Sequence, residues 1–105
     1  MTIDSQRFAG LQRLYGVKKA KFLPTLHICV IGIGGVGSWA VEALARSGVG
    51  EITLIDNDDI ALSNMNRQIH TLDNTVGQSK VLTMRERVLQ INPECHCHAI
   101  DDLLT

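Results

Sequence analysis

The stretch Ile28-Cys29-Val30-Ile31-Gly32-Ile33-Gly34-Gly35-Val36-Gly37 constrains this chain most, because a continuous apolar run breaks into glycines and then opens a helical pattern. A buried strand that feeds a tight turn carries main-chain N–H groups to a helix N-terminus. Missing side chains at Gly32, Gly34 and Gly37 let a phosphate come close to that backbone. Asp56 closes the next apolar run, near the spacing of about 20 residues at which a carboxylate accepts hydrogen bonds from ribose hydroxyls. At a strand end it is expected to serve the ligand rather than the core. A glycine cluster by itself also occurs in ordinary structural turns. Placed after a strand, before a helix and ahead of Asp56, this one argues for a mononucleotide or dinucleotide site.

The 105 residues suffice for one small domain with a single core. Ten Lys and Arg stand against eleven Asp and Glu, a formal net charge of −1, so no global field drives the chain onto nucleic acid or an anionic membrane. Local basic patches remain open. The N-terminal residues contain no apolar signal core, and glycines interrupt the longest apolar run far short of a membrane span. A cytoplasmic protein is the expectation. Three cysteines, Cys29, Cys95 and Cys97, fit reduced thiols rather than a disulfide framework, with Cys29 read as a small buried hydrophobe inside the first strand.

Along the chain, residues 6–22 place Phe8, Leu11, Leu14, Tyr15, Ala20 and Phe22 at a loose helical period, which predicts two short helices joined near Gly16 and closed by Pro24. Residues 26–31 read as a strand of the kind covered on both faces in a parallel sheet. Residues 35–47 form the first helix of the domain and 51–56 the second strand. Residues 57–77 are irregular, with a short helix possible in their middle, and a connection that long is usually functional. Residues 79–91 pattern as a helix stopped by Asn92-Pro93, and 94–100 alternate as a third strand. Right-handed crossovers make this the first βαβαβ half of a Rossmann-like α/β parallel sheet, strand order 3-2-1. Residues 1–25 are an N-terminal helical segment and 26–105 a truncated nucleotide-binding domain. The first strand, normally central, is left with an open edge, so the chain is either a piece of a longer protein or completes its sheet by association.

Asn64, Arg67 and Lys80 follow Asp56 and could converge on the phosphate side of the ligand. Redox dinucleotides present a diphosphate that helix-end amides largely satisfy, whereas cleavage at an α-phosphorus develops charge that Arg and Lys stabilise. The alternative is that Arg67 and Lys80 are solvated surface charges. In Cys95-His96-Cys97-His98, strand alternation sends the cysteines to one face and the histidines to the other, so at most two could meet one ion; an edge strand is favoured over a metal site. His70 reads as a polar loop residue that could touch substrate.

Six successive signatures carry a family resemblance: Gly32-Ile33-Gly34-Gly35-Val36-Gly37-Ser38, Gly48-Val49-Gly50, Leu54-Ile55-Asp56-Asn57-Asp58, Ser63-Asn64-Met65-Asn66-Arg67-Gln68, Val76-Gly77-Gln78-Ser79-Lys80 and Ile91-Asn92-Pro93. In order and content they resemble the E1-like activating enzymes, which include the molybdopterin- and thiamine-pathway adenylating proteins. Arg7-Phe8-Ala9-Gly10 with Arg13-Leu14-Tyr15-Gly16, and Asn66-Arg67-Gln68-Ile69-His70, are most similar to the tRNA threonylcarbamoyladenosine dehydratase branch.

The resemblance implies ATP as cosubstrate, with Gly35 against the nucleotide, Asp56 on the ribose and Asn64, Arg67 and Lys80 around the phosphates. It also implies a homodimer in which an N-terminal arginine, Arg13 or else Arg7, enters the partner's site. Magnesium is implied too, although the family's aspartate ligand follows a fourth strand beyond this chain, and Asp101 and Asp102 are too early to be it. The expected reaction is adenylation of a carboxylate on modified tRNA by a fragment that does not turn over alone. Alternatives are adenylation of the C-terminus of a ubiquitin-like or sulfur-carrier protein, an NAD-binding module, or a noncatalytic chain that associates through its sheet edge.

Overall fold

The computed structural model describes residues 6–15 and 21–103. Three parallel strands, β1 (His27–Ile31), β2 (Glu51–Ile55) and β3 (His96–Ile100), pair in the order β1-β2-β3. Helix α1 (Ala9–Tyr15) and a 3-10 turn (Leu23–Thr25) precede the sheet. Helix α2 (Gly37–Arg46) links β1 to β2, and α3 (Lys80–Ile91) leads into β3. The sheet is the Rossmann-like first half that the apolar pattern predicts. Residues 16–20, around the expected helix junction at Gly16, lie outside the described residues.

Element ends differ from the sequence pattern by one or two residues, for local reasons. Gly35 and Val36 stay in the turn, so α2 starts at Gly37. Ser79 caps α3 by accepting from the Leu82 N–H at 3.3 Å, and the Asn92 side chain accepts from Glu94 N at 3.3 Å, holding a turn that delays β3 to His96.

In register, Ile52 lies between Ile28 and Cys97, and Leu54 between Val30 and Ala99. Their shared face meets Val41 and Ala45 of α2 and Val81, Met84 and Val88 of α3, which closes the core. Two right-handed crossovers running the same way across a sheet put both helices on one side. The other face therefore carries His27, Cys29, Ile31, His96, His98 and Ile100, all exposed. This corrects the expectation of a first strand covered on both faces. Cys29 is not a buried hydrophobe, because its odd register aims it away from the helices.

The same alternation buries Cys97, with Cys95 just before the strand, and leaves His96 and His98 outside, as read from the sequence. Burial pushes both thiols up, that of Cys97 to about 11. Among the described residues no helix is long and apolar enough to cross a membrane.

Candidate functional site

Gly32 and Gly37 are dictated by the fold. Gly32 has φ +86° while its N–H bonds Ile55 O at 2.8 Å, tying the turn to the end of β2. A Cβ on Gly37 would lie 1.8 Å from Gly32 O, so α2 could not seat on the turn. Gly34 and Gly35 are different. A Cβ on Gly34 would meet only Gln68 Nε2 at 3.8 Å, and one on Gly35 only the Arg67 alkyl stem at 3.8 Å, both ordinary contacts. Packing does not require these two glycines, whereas close approach of a ligand to the backbone would. No side chain caps the N-terminus of α2; Ser38 N and Ala40 N bond Gly34 O and Val36 O at 2.9 and 3.0 Å, while the N–H groups of Gly37 and Trp39 have no partner among the described residues and stay available to an external acceptor.

Asp56, just beyond β2, accepts from Ile33 N at 2.7 Å through Oδ2 and from Asp58 N at 2.8 Å through Oδ1. Each oxygen retains a lone pair for a hydroxyl donor. The carboxylate is thus a brace for the glycine turn as well as an acceptor, which corrects the expectation that a strand-end acid is independent of the fold.

The long connection after Asp56 is closed by Ile60 N to Gln78 O at 2.8 Å and Gly77 N to Ile60 O at 2.7 Å. Within it the expected short helix is a 3-10 turn, Leu62–Asn64. Asn64 is buried, and its Oδ1 accepts from Ala61 N at 2.8 Å, which leaves the carboxamide NH2 as the available donor. Arg67 follows on the same turn, its N–H bonded to Asn64 O at 3.1 Å. Its Nη1 donates to Ser63 O and Asn66 Oδ1 at 3.0 and 3.1 Å, while Nε and Nη2 have no partner among the described residues. Lys80, the first residue of α3, is buried and sits 3.9 Å from Asp58 Oδ2. Arg67 and Lys80 are therefore both held by neighbouring groups, Arg67 exposed against Gly35 and Lys80 beneath the Asp56–Asp58 segment.

Three contacts clamp this connection onto the glycine turn, and the sequence pattern flagged none of them. Trp39 Nε1 donates to Arg67 O at 2.9 Å, and Ile69 N donates to Ser38 Oγ at 3.4 Å. His70, 2% exposed, bonds Ile33 O through Nε2 at 2.8 Å. A carbonyl only accepts, so Nε2 carries the proton and neutral Nδ1 accepts from the Thr71 hydroxyl at 3.2 Å. Burial holds this imidazole below the usual histidine range, assisted by Lys80 and opposed by the Ile33 carbonyl and Asp56. His70 is therefore a buried strut behind the turn rather than a loop residue open to substrate. The available signal was its place beside Gln68 and Ile69 in an otherwise polar loop.

Arg13 is exposed on α1, and among the described residues no contact joins it to the glycine turn, Asp56 or Lys80. Its neighbourhood lies at the other end of the helical layer, where Phe8 faces Gly48 and Arg7 Nη1 bonds Ile91 O at 2.7 Å. No group of three or more His, Cys, Asp or Glu side chains is gathered for a metal among the described residues.

A bare glycine turn on the N-terminus of α2, with an acid braced under it, places the chain among Rossmann-like α/β proteins. The sequence matches the ThiF family over residues 6–105, and the chain belongs to that family. It is 58% identical over 100 residues to the tRNA threonylcarbamoyladenosine dehydratase of Escherichia coli (strain K12), an alignment covering 95% of this chain and 37% of that protein. It is 42% identical over 78 residues to the E. coli molybdopterin-synthase adenylyltransferase, covering 74% and 31%. The crystal structure of E. coli tRNA N6-threonylcarbamoyladenosine dehydratase in complex with ATP superposes with a TM-score of 0.96 at 55% identity, covering all of this chain and 44% of that one. The chain thus spans less than half the length of these relatives.

Proposed function

We propose that residues 26–105 form the nucleotide-holding part of an ATP-dependent E1-like adenylating enzyme acting on a threonylcarbamoyl group in tRNA. The observation that carries this reading is the pair Gly34 and Gly35, bare without any packing need, beneath the stem of Arg67. The ATP-bound relative at 55% identity supports ATP as the nucleotide. The glycine-turn amides would receive phosphate oxygens, Asp56 the ribose hydroxyls, and the Asn64 NH2 a further phosphate oxygen.

In the proposed reaction the substrate carboxylate attacks the α-phosphorus, the bond to the bridging oxygen breaks, and pyrophosphate leaves. Negative charge grows on the α-phosphoryl oxygens and on the departing group, where the open Nε and Nη2 of Arg67 and the Lys80 ammonium act. A nucleophile of the same threonylcarbamoyl group then attacks the activated carbonyl, AMP departs, and a ring closes. The chain supplies alignment and charge stabilisation, with no covalent nucleophile of its own. Magnesium, when bound with ATP, neutralises phosphate charge. A homodimer that shares Arg13 or Arg7 between subunits belongs to the same reading.

The test is pyrophosphate exchange in the full-length protein. Arg67→Ala is expected to lower exchange by about 100-fold or more with little change in ATP affinity; unaltered exchange would make Arg67 a surface charge and refute the assignment. The adenylyltransferase relative supports a second reading, a carrier-protein C-terminus as acceptor. Exchange that requires an added carrier rather than the modified tRNA would select it.

A further inference from the structure

At the end of the helical layer away from the glycine turn, a cleft of about 420 Å³ opens between the chain before α1 and the last turns of α2 and α3. Arg7, Phe8, Arg46, Arg87, Gln90 and Ile91 line it. The carboxylate paired with Arg46 and Arg87 is Glu42, which is buried and receives Arg46 Nε at 2.8 Å and Arg87 Nε and Nη2 at 2.5 and 3.1 Å. Desolvation of that carboxylate is outweighed by the two guanidiniums, which hold it below its ordinary range. Three cations against one anion leave positive charge in excess, on a chain whose net charge is −1.

Donor geometry sharpens this point. Glu42 consumes the inner Nε of Arg46 and one edge of Arg87, and Ile91 O consumes Nη1 of Arg7. Both Nη groups of Arg46, Nη1 of Arg87, and Nε and Nη2 of Arg7 have no partner among the described residues. The buried acid therefore fixes two planar forks while leaving their outer donors open, a preorganised arrangement suited to phosphate oxygens. Arg46 lies on the same helix as Gly37, about 14 Å along its axis. That span corresponds to about four phosphates along a helical strand.

We infer that the cleft between Arg7, Arg46 and Arg87 is a docking site for a backbone phosphodiester of the RNA substrate, a few nucleotides from the group activated at the glycine turn. The inference rests on the tRNA reading above. Contacts of this kind fix register without reading sequence, which suits an enzyme whose chemistry depends on a modified base.

The test uses the full-length protein and tRNA carrying threonylcarbamoyladenosine, with equilibrium binding followed across a salt series. Arg46→Gln and Arg87→Gln are each expected to weaken tRNA binding about fivefold to tenfold at low salt and to reduce the salt slope by about one. ATP affinity should be unchanged in both. Arg85→Gln, an exposed arginine of α3 outside the cleft, should bind tRNA as the unmodified protein does. Cleft variants that bind tRNA with unaltered affinity and slope, or that lose no more than Arg85→Gln, overturn the proposal. So does a loss confined to inorganic phosphate binding, which would mark a site for free anions. An unmodified protein that binds ATP but no tRNA overturns the tRNA reading and the cleft together; tRNA binding insensitive to the cleft variants overturns the cleft alone.

Discussion

Replacing His70 with Phe isolates the strut behind the glycine turn. The ring keeps its approximate shape, but Ile33 O, in a fully buried residue, loses its donor, and the Thr71 hydroxyl loses its acceptor. A buried carbonyl left unpaired costs about 1–3 kcal/mol, and the second bond contributes about 1 kcal/mol more. The expected loss is therefore about 2–4 kcal/mol, a large part of the 5–15 kcal/mol typical of a domain. The pH dependence supplies a second, independent signature. Burial lowers the pKa of His70 in the folded state, so its contribution is complete above the unfolded value of about 6.5 and is lost as pH falls toward the folded value. The phenylalanine variant lacks this titration. Urea denaturation followed by circular dichroism should show the gap between the two proteins widest near pH 8 and narrower near pH 5.5. A gap that is independent of pH, or below about 1 kcal/mol, would refute the buried, neutral His70.

The two classes of glycine should separate experimentally. Gly37→Ala forces a Cβ to 1.8 Å from Gly32 O and is expected to destabilise the fold by about 3 kcal/mol or more in thermal unfolding, whereas Gly35→Ala should leave unfolding nearly unchanged and weaken ATP binding in calorimetry. Equal effects of the two substitutions on unfolding would sink the distinction. Among the thiols, alkylation at neutral pH should label exposed Cys29 quickly and leave Cys95 and Cys97 until the chain unfolds, as peptide mass mapping would show. Fast labelling of Cys97 would contradict its burial.

Much of the architecture was legible because it follows from periodicity. The apolar runs at 28–31 and 52–55, the alternation through Cys95-His96-Cys97-His98 and the helical pattern of 79–91 each act over a few residues or turns, and each is visible without knowing what packs on it. Cys29 marks the limit of that approach. An apolar strand looks alike whether one face or two are covered, and only the shared hand of the two crossovers decides which side remains bare.

The site divides in the same way. Sequence alone determined the list of candidates, Gly32 to Gly37, Asp56, Asn64, Arg67 and Lys80, because their spacing follows strand and helix ends. Tertiary structure decided what each one touches. It distinguished the glycines needed by packing from those that are not, and it turned the Asp56 carboxylate into a brace on Ile33 N. It placed Trp39, Ser38 and His70 as the clamp that sets Arg67 over Gly35. It also gathered Arg7, Arg46 and Arg87 around one cleft from three separate stretches of chain. Local patterns follow from backbone geometry over one or two turns; contacts between residues tens of positions apart exist only once the core has fixed where each element lies.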